Sequence, residues 1–256
     1  MKSARDPQHG DLLTVGEYAD RYGSMLDGKG NQNTRPKLLC PACSFGMHSV
    51  AEFSPQIADA IFAHDRGTLQ RPAPWCVLKE SASWKYMGLT PAEPDVEYGQ
   101  RLRESFLLNW QKHWAIICNR VEYPDILVFI KNIRAADRVK LWEHRELTEP
   151  LVPYLLMAMV EFAPPPGYLA GARSYSVRFR FDGTVRTVED LWIRTTGDFR
   201  MLKVSYLAPT PPETVASQPI GVEDVHVNLE FLSMPIPPNL RANGFQVKEM
   251  AKNFKI

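Results

Sequence analysis

Cys40 and Cys43 are separated by two residues, in Cys40-Pro-Ala-Cys43, and a third cysteine follows at Cys76. His48 and His64 lie between them. Two thiolates at that spacing can reach one tetrahedral ion at about 2.3 Å, the geometry of a metal knuckle. Two further ligands are needed. Cys76 is the next cysteine, whereas Cys118 lies far along the chain in an apolar run. For the fourth ligand His64 is preferred over His48. His64 sits just before Asp65-Arg66-Gly67, where an imidazole can turn toward the knuckle, and His48 is only a few residues past Cys43. The expected site is therefore zinc held by Cys40, Cys43, His64 and Cys76, with His48 as the competing fourth ligand. A lone CxxC could instead be a redox pair or two ordinary buried thiols. Redox motifs of the thioredoxin kind open a helix after a strand, and Pro41 and Gly46 suit a ribbon turn better. Four protein ligands would close the site and make the zinc structural rather than catalytic.

The elements that must position these residues are partly readable. In "LLTVGEYADRYG", Thr14 and Glu17 have capping-box spacing, which predicts a short helix burying Leu13, Tyr18 and Tyr22. The string resembles the opening helix of helix-turn-helix modules, but the loop-like "SMLDGKGNQNTRPK" follows it. Ser54-Pro55 predicts a second helix with Ile57, Ala60, Ile61 and His64 on one face. A longer helix is expected from about Asp95 to His113, and another between Pro124 and Glu146, although "DILVFIK" could equally be a strand. After "APPPG" the pattern changes to period-two alternation in "RSYSVRFRFDG", the mark of a strand and turn. "TVRTVEDLWIRTT", "FRMLKVSYL" and "VHVNLEFL" read as further strands, and "NGFQVKEMAKNF" as a closing helix. The expected fold class is α+β: an N-terminal zinc-knuckle segment, a helical middle and an antiparallel β-rich C-terminal half. The expected domains are a zinc-binding module over 1–90 and an α+β domain over 91–256, with a single continuous domain as the other possibility.

Cys40, Pro41 and Cys43, then Phe62-Ala63-His64, then Cys76 resemble the small zinc module at the start of competence protein CoiA-like proteins. The resemblance covers about forty residues, 38–76. It departs from the family pattern at the approach to His64, which reads as helical here and is strand-like in the family. The family continues into a nuclease-like domain. A restriction-type nuclease needs an acidic residue and then a Glu/Asp-x-Lys on a neighbouring strand to hold Mg²⁺ and polarise water. Asp125 and Lys131 hint at the first part. Glu143-His144-Arg145 is an imperfect substitute for the second, and Asp125 after Pro124 suits a helix start.

No GxSxG, P-loop or dinucleotide fingerprint is present, nor the HxE…PCxxC pattern of zinc deaminases. Two regions carry local positive charge. Lys131, Arg134 and Arg138 share a face if their stretch is helical. Arg178 and Arg180 alternate with Phe179 and Phe181 and are expected to point outward, and Trp192 is expected beside Arg194 on a strand. Rings beside guanidinium groups suit single-stranded nucleic acid, because every base has a π-face and every nucleotide a phosphate. The same residues also serve as ordinary solubility residues and core tryptophans.

Lysine and arginine number 30 against 29 acidic residues in 256, a net charge of +1, which argues against a protein that coats nucleic acid indiscriminately. The start of the chain has no apolar run of a signal peptide, and "LVPYLLMAMVEF" is too short to span a bilayer. Four cysteines then suggest metal or free thiols in a cytoplasmic protein rather than disulfides. The expected function is non-catalytic and zinc-stabilised: binding nucleic acid, single-stranded DNA among the candidates, or a nucleic-acid-associated complex in a mobile genetic element or phage-related system. The alternatives are a protein–protein adaptor or inhibitor with a purely structural zinc, and a divergent metal-dependent nuclease.

Overall fold

A computed structural model describes residues 3–27, 29–41, 43–52, 60–66, 76, 89–166, 173–181, 185, 187–193, 200–207 and 219–255. Among the described residues there are seven α-helices and two antiparallel sheets, a mixed α+β architecture. The chain divides into two compact units: Met1–Ser81 with Val204–Glu223, and Ala82–Lys203 with Asp224–Ile256.

The first unit is built on a five-stranded sheet in the order β2-β1-β3-β4-β5. Its strands are β1 (Ser3–Arg5), β2 (Leu12–Thr14), β3 (Leu38–Leu39), β4 (Gly46–Val50) and β5 (Ile61–His64). Helix α1 (Val15–Tyr22) starts at the capping box read from the sequence: the Glu17 N–H donates to Thr14 Oγ1 at 3.3 Å and the Thr14 N–H to Glu17 Oε2 at 2.8 Å. Its Val15 and Tyr18 are buried, and Tyr18 meets Phe62 of β5 edge-on. Two polar clusters stitch this small sheet. The fully buried Asp6 carboxylate accepts from the Tyr22 hydroxyl at 2.5 Å, the Gln8 N–H at 2.8 Å and Arg21 at 3.1 Å. Burial would raise the Asp6 carboxyl, but the donors, Tyr22 foremost, outweigh it and hold the carboxyl well below the ordinary range. Arg35 grips Glu52 through two parallel bonds of 2.8 and 2.9 Å and lies over the Tyr18 ring at 4.5 Å.

The second unit carries most of the core. Helices α2 (Val96–Leu108), α3 (Trp110–Cys118), α4 (Ile126–Arg138) and α5 (Val152–Ala158) gather Phe106, Trp114, Phe129, Ile133 and Trp142. The helix expected over 95–113 is broken at Asn109 (φ −96°, ψ 10°), whose side-chain amide donates to Glu149 at 3.0 Å. The break lets Phe106 and Trp114 share one core. Every residue of α5 is buried, and Pro153 occupies its first turn, where the missing N–H costs nothing. No helix among the described residues is long and apolar enough to cross a membrane. A second sheet runs β6-β7-β8-β9, from β6 (Glu161–Phe162) and β7 (Ser176–Phe181) of this unit and from β8 (Met201–Tyr206) and β9 (Pro219–Val225), which include residues of the Val204–Glu223 segment. The chain ends in α7 (Gly244–Phe254), opened by an Asn243–Gln246 capping box.

Three sequence expectations are corrected. Ile61 and His64 are not helical: they lie in β5, where pairing with β4 from Val50↔Ile61 to Met47↔His64 outweighs the helix-like spacing. The first part of that expected helix, 53–59, lies outside the described residues. "EDLWI" is not a strand but α6 (Asp190–Ile193), because the Thr187 N–H donates to the Asp190 carboxylate at 2.9 Å and nucleates a turn. "VHVNLEFL" leaves the sheet at Val225. Asn228 turns the chain by accepting from the Glu230 N–H at 2.8 Å, and its own N–H goes to the Tyr154 hydroxyl at 2.9 Å.

Inside the helical core, His113 is fully buried, stacked on Phe106 at 4.2 Å and bonded to Glu149 at 2.9 Å. Burial lowers its pKa, and the neighbouring Glu149 carboxylate only partly opposes this. The unfolded chain takes up this proton near pH ~6.5 while the folded chain does not. Stability from His113 is therefore complete above that value and is lost as the pH falls below it. Urea unfolding at neutral and mildly acidic pH should show this decline, and the His113 ring resonance should titrate below the ordinary histidine range.

Candidate metal centre and basic surface

The cysteine and histidine cluster grows from the hairpin of β3 and β4. Leu39 pairs with Gly46, and the loop between them closes with the Cys40 N–H donating to Phe45 O and the Ser44 N–H to Cys40 O, both at 2.8 Å. Ser44 takes a left-handed conformation (φ 55°), which turns the chain back so that Phe45 closes on Cys40 and Gly46 pairs with Leu39. Strand β5 then lies antiparallel to β4 and delivers His64 opposite Met47.

The four ligand atoms of Cys40, Cys43, His64 and Cys76 all lie within 4.8 Å of one another. Cys43 Sγ is 3.5 Å from His64 Nε2, and Cys40 Sγ is 3.7 Å from Cys76 Sγ. A tetrahedron with bonds of about 2.3 Å has edges of roughly 3.7 Å, so this spacing fits one ion. The group could hold a metal ion. Its donor set is three thiols and an imidazole, with Cys40 and Cys76 buried and Cys43 and His64 half-buried.

His48, the competing ligand, is excluded by strand parity. It pairs with Ala63 rather than His64, so its side chain leaves the opposite face of the hairpin. There its Nδ1 meets Asp65 Oδ1 at 3.0 Å, and Lys37 reaches the other oxygen at 2.6 Å. Asp65 is the residue here that sequence reasoning did not single out. Its position beside a candidate ligand histidine was the available signal.

The electrostatics of the cluster describe a site short of positive charge. Contact with Cys40 and Cys76 holds the Cys43 thiol far below its usual range, whereas Cys40 and Cys43 push Cys76 far above it. Three sulfurs this close cannot all ionise together without a cation. Cys40 and Cys43 raise the His64 imidazole to about 9, so in the metal-free cluster a proton stands where a cation would. Cys118 is a separate matter: burial in α3 pushes its thiol up to about 12.

The residues expected to touch nucleic acid are not brought together as one surface. Lys131, Arg134 and Arg138 are exposed along α4, on the side opposite the fully buried Ile133. Arg178 and Arg180 are corrected. All six residues of β7 are buried, and both guanidinium groups are inside, with Arg178 Nε donating to Glu161 Oε2 at 2.6 Å. Period-two alternation predicts which side of a strand a residue takes, but not whether that side meets solvent. Trp192 is likewise not an open stacking platform. It is half-buried in α6, meets His144 edge-on at 5.8 Å, and lines a cleft of about 300 Å³ in which Glu93, Glu146 and Glu189 outnumber Arg145, a poor setting for phosphate. Arg194 lies outside the described residues. Asp125 caps α4 by accepting from the Leu127 N–H at 2.8 Å.

No family model matches the chain, and neither a curated protein nor a solved structure matches it.

Proposed function

We propose that the chain is a zinc-stabilised, non-catalytic protein that binds nucleic acid through the outer face of α4. Zinc suits three thiolates and an imidazole in tetrahedral array, and four protein ligands leave it no open position for chemistry. His64 lies on a strand here, and the CoiA-like zinc module that residues 38–76 resemble has a strand-like approach to its histidine. The mobile-element or phage-related setting draws on that resemblance alone.

The observation that carries the binding reading is the α4 face itself. Lys131, Arg134 and Arg138 stand one turn apart on the side of the helix away from its buried residues. Such a row suits successive phosphates, and each neutralised phosphate on a single strand steepens the salt dependence by about 0.7. Three contacts give a slope of roughly −2 in log K against log salt. Anisotropy titration of a labelled oligothymidine across a salt series tests this. The expected result is that slope, flattened by Lys131→Glu with Arg138→Glu. Binding that ignores salt, or no binding, would favour an adaptor or inhibitor with a purely structural zinc. That second reading is supported by large apolar side chains standing in solvent, Leu108 above all at 82% exposed.

A further inference from the structure

We infer that the outer face of α7 is a second contact surface for single-stranded nucleic acid, with Phe245 as a base-stacking ring and Lys248, Lys252 and Lys255 as phosphate contacts. The inference rests on the nucleic-acid reading above and extends it to residues which that reading did not use.

At 3.6 residues per turn, Phe245, Lys248 and Lys252 fall within an arc of about 60°, and Lys255 follows as the left-handed C-cap of the helix (φ 57°). That arc lies opposite Met250, which is fully buried. The three side chains of the arc are exposed, as is Lys255 at the C-cap. Glu249 is the helix's one acidic residue, and it stands to the side of the arc, half-buried. Among the described residues none of the three lysines is ion-paired, so their charge faces solvent without compensation. The face therefore complements a polyanion.

Phe245 makes the face more specific. A solvated lysine face has no use for a ring, yet this phenylalanine is 59% exposed amid the lysines. Rings that stack on bases combine with cationic side chains in sequence-tolerant binding of single strands, whose base faces are open. An anionic lipid surface is the other polyanion to weigh. A helix adsorbing to lipid inserts its apolar face, whereas α7 has Met250 and Phe254 turned into the core of its unit. One ring beside three lysines leaves little to insert.

The α7 and α4 faces adjoin. Arg134 Nη2 donates to Asn253 Oδ1 at 2.5 Å, linking the two helices. A strand tracking along α4 thus meets α7 next, and the two rows of positive charge act as one track.

The test is anisotropy of a labelled oligothymidine with the full chain, wild type against Lys248→Glu/Lys252→Glu, Phe245→Ala and Lys131→Glu/Arg138→Glu. The substituted side chains are exposed, and circular dichroism checks that each variant is folded. The α7 charge reversal should weaken binding at least tenfold at low salt and flatten the salt slope by about 1.4. Phe245→Ala should weaken single-strand binding about tenfold with the slope unchanged, and leave duplex binding as in wild type. If both α7 variants bind like wild type while the α4 variant does not, this inference falls and the proposed function stands. If wild type binds no oligonucleotide, both fall. Loss of adsorption to phosphatidylserine vesicles with oligonucleotide binding intact would make the face a lipid contact and overturn the inference.

Discussion

Stripping the cation with a strong chelator should unfold the strands that carry the cysteine and histidine cluster. Structural zinc contributes an apparent ~10–16 kcal/mol in small metal-folded peptides. A whole domain is stable by only ~5–15 kcal/mol. The first unit has short strands of two to five residues, so its sheet offers little cooperativity of its own. With an ion held by Cys40, Cys43, His64 and Cys76, much of what fixes the β3–β4 loop against β5 would be its four ligand bonds. Hydrogen exchange reads the effect site by site: amides of β4 and β5 should lose protection on chelation and regain it when zinc is returned. The helical core, with Phe106, Trp114 and Ile133 packed without a metal, should keep its protection. Cys40→Ser should reproduce the chelated pattern, because the hydroxyl is a poor zinc ligand and Cys40 itself is fully buried.

The second large effect is expected from Glu52→Ala. The Arg35 and Glu52 side chains are 7% and 5% exposed, and each is the other's principal charge partner. Glu52 also accepts from the Met25 N–H at 2.9 Å and from Ser49 at 2.6 Å, so one carboxylate ties three segments together. Removing it strands a guanidinium in the interior. Breaking a buried pair in this one-sided way costs about 3–5 kcal/mol, whereas replacing both partners with apolar residues of similar size is often neutral. Urea unfolding should accordingly show a large loss for Glu52→Ala and a much smaller one for Arg35→Met with Glu52→Leu. Burial would raise the Glu52 carboxyl, but Arg35 and Ser49 outweigh it and the net shift is downward. The stability from this carboxylate is therefore complete above pH ~4.3 and is lost as the pH falls through its lower folded value.

What the sequence made legible were features written in local chemistry. The Thr14–Glu17 capping box, the Asn243 start of the last helix and the Cys40–Cys43 spacing each depend on residues within one turn of each other. The sequence favours His64 over His48 through its place before Asp65-Arg66-Gly67, but strand parity is what decides it, and parity requires knowing that residues 61–64 pair with 47–50. That pairing is non-local, and helix-like spacing in the same residues concealed it. Arg178 and Arg180 show the same limit from the other direction. Their alternation with phenylalanine marked a strand correctly, yet both faces of β7 are covered, and a sequence records only that two faces exist. Asn109 ended a helix through its bond to Glu149, forty residues away, which no local rule anticipates.

Metal content of the purified chain by native mass spectrometry is the most direct test of the centre. One zinc per chain is expected in wild type and in His48→Ala, with loss of the ion in His64→Ala and in Cys76→Ser. A His64→Ala chain that keeps its full complement of zinc, or a wild-type chain that folds and carries none, would contradict it.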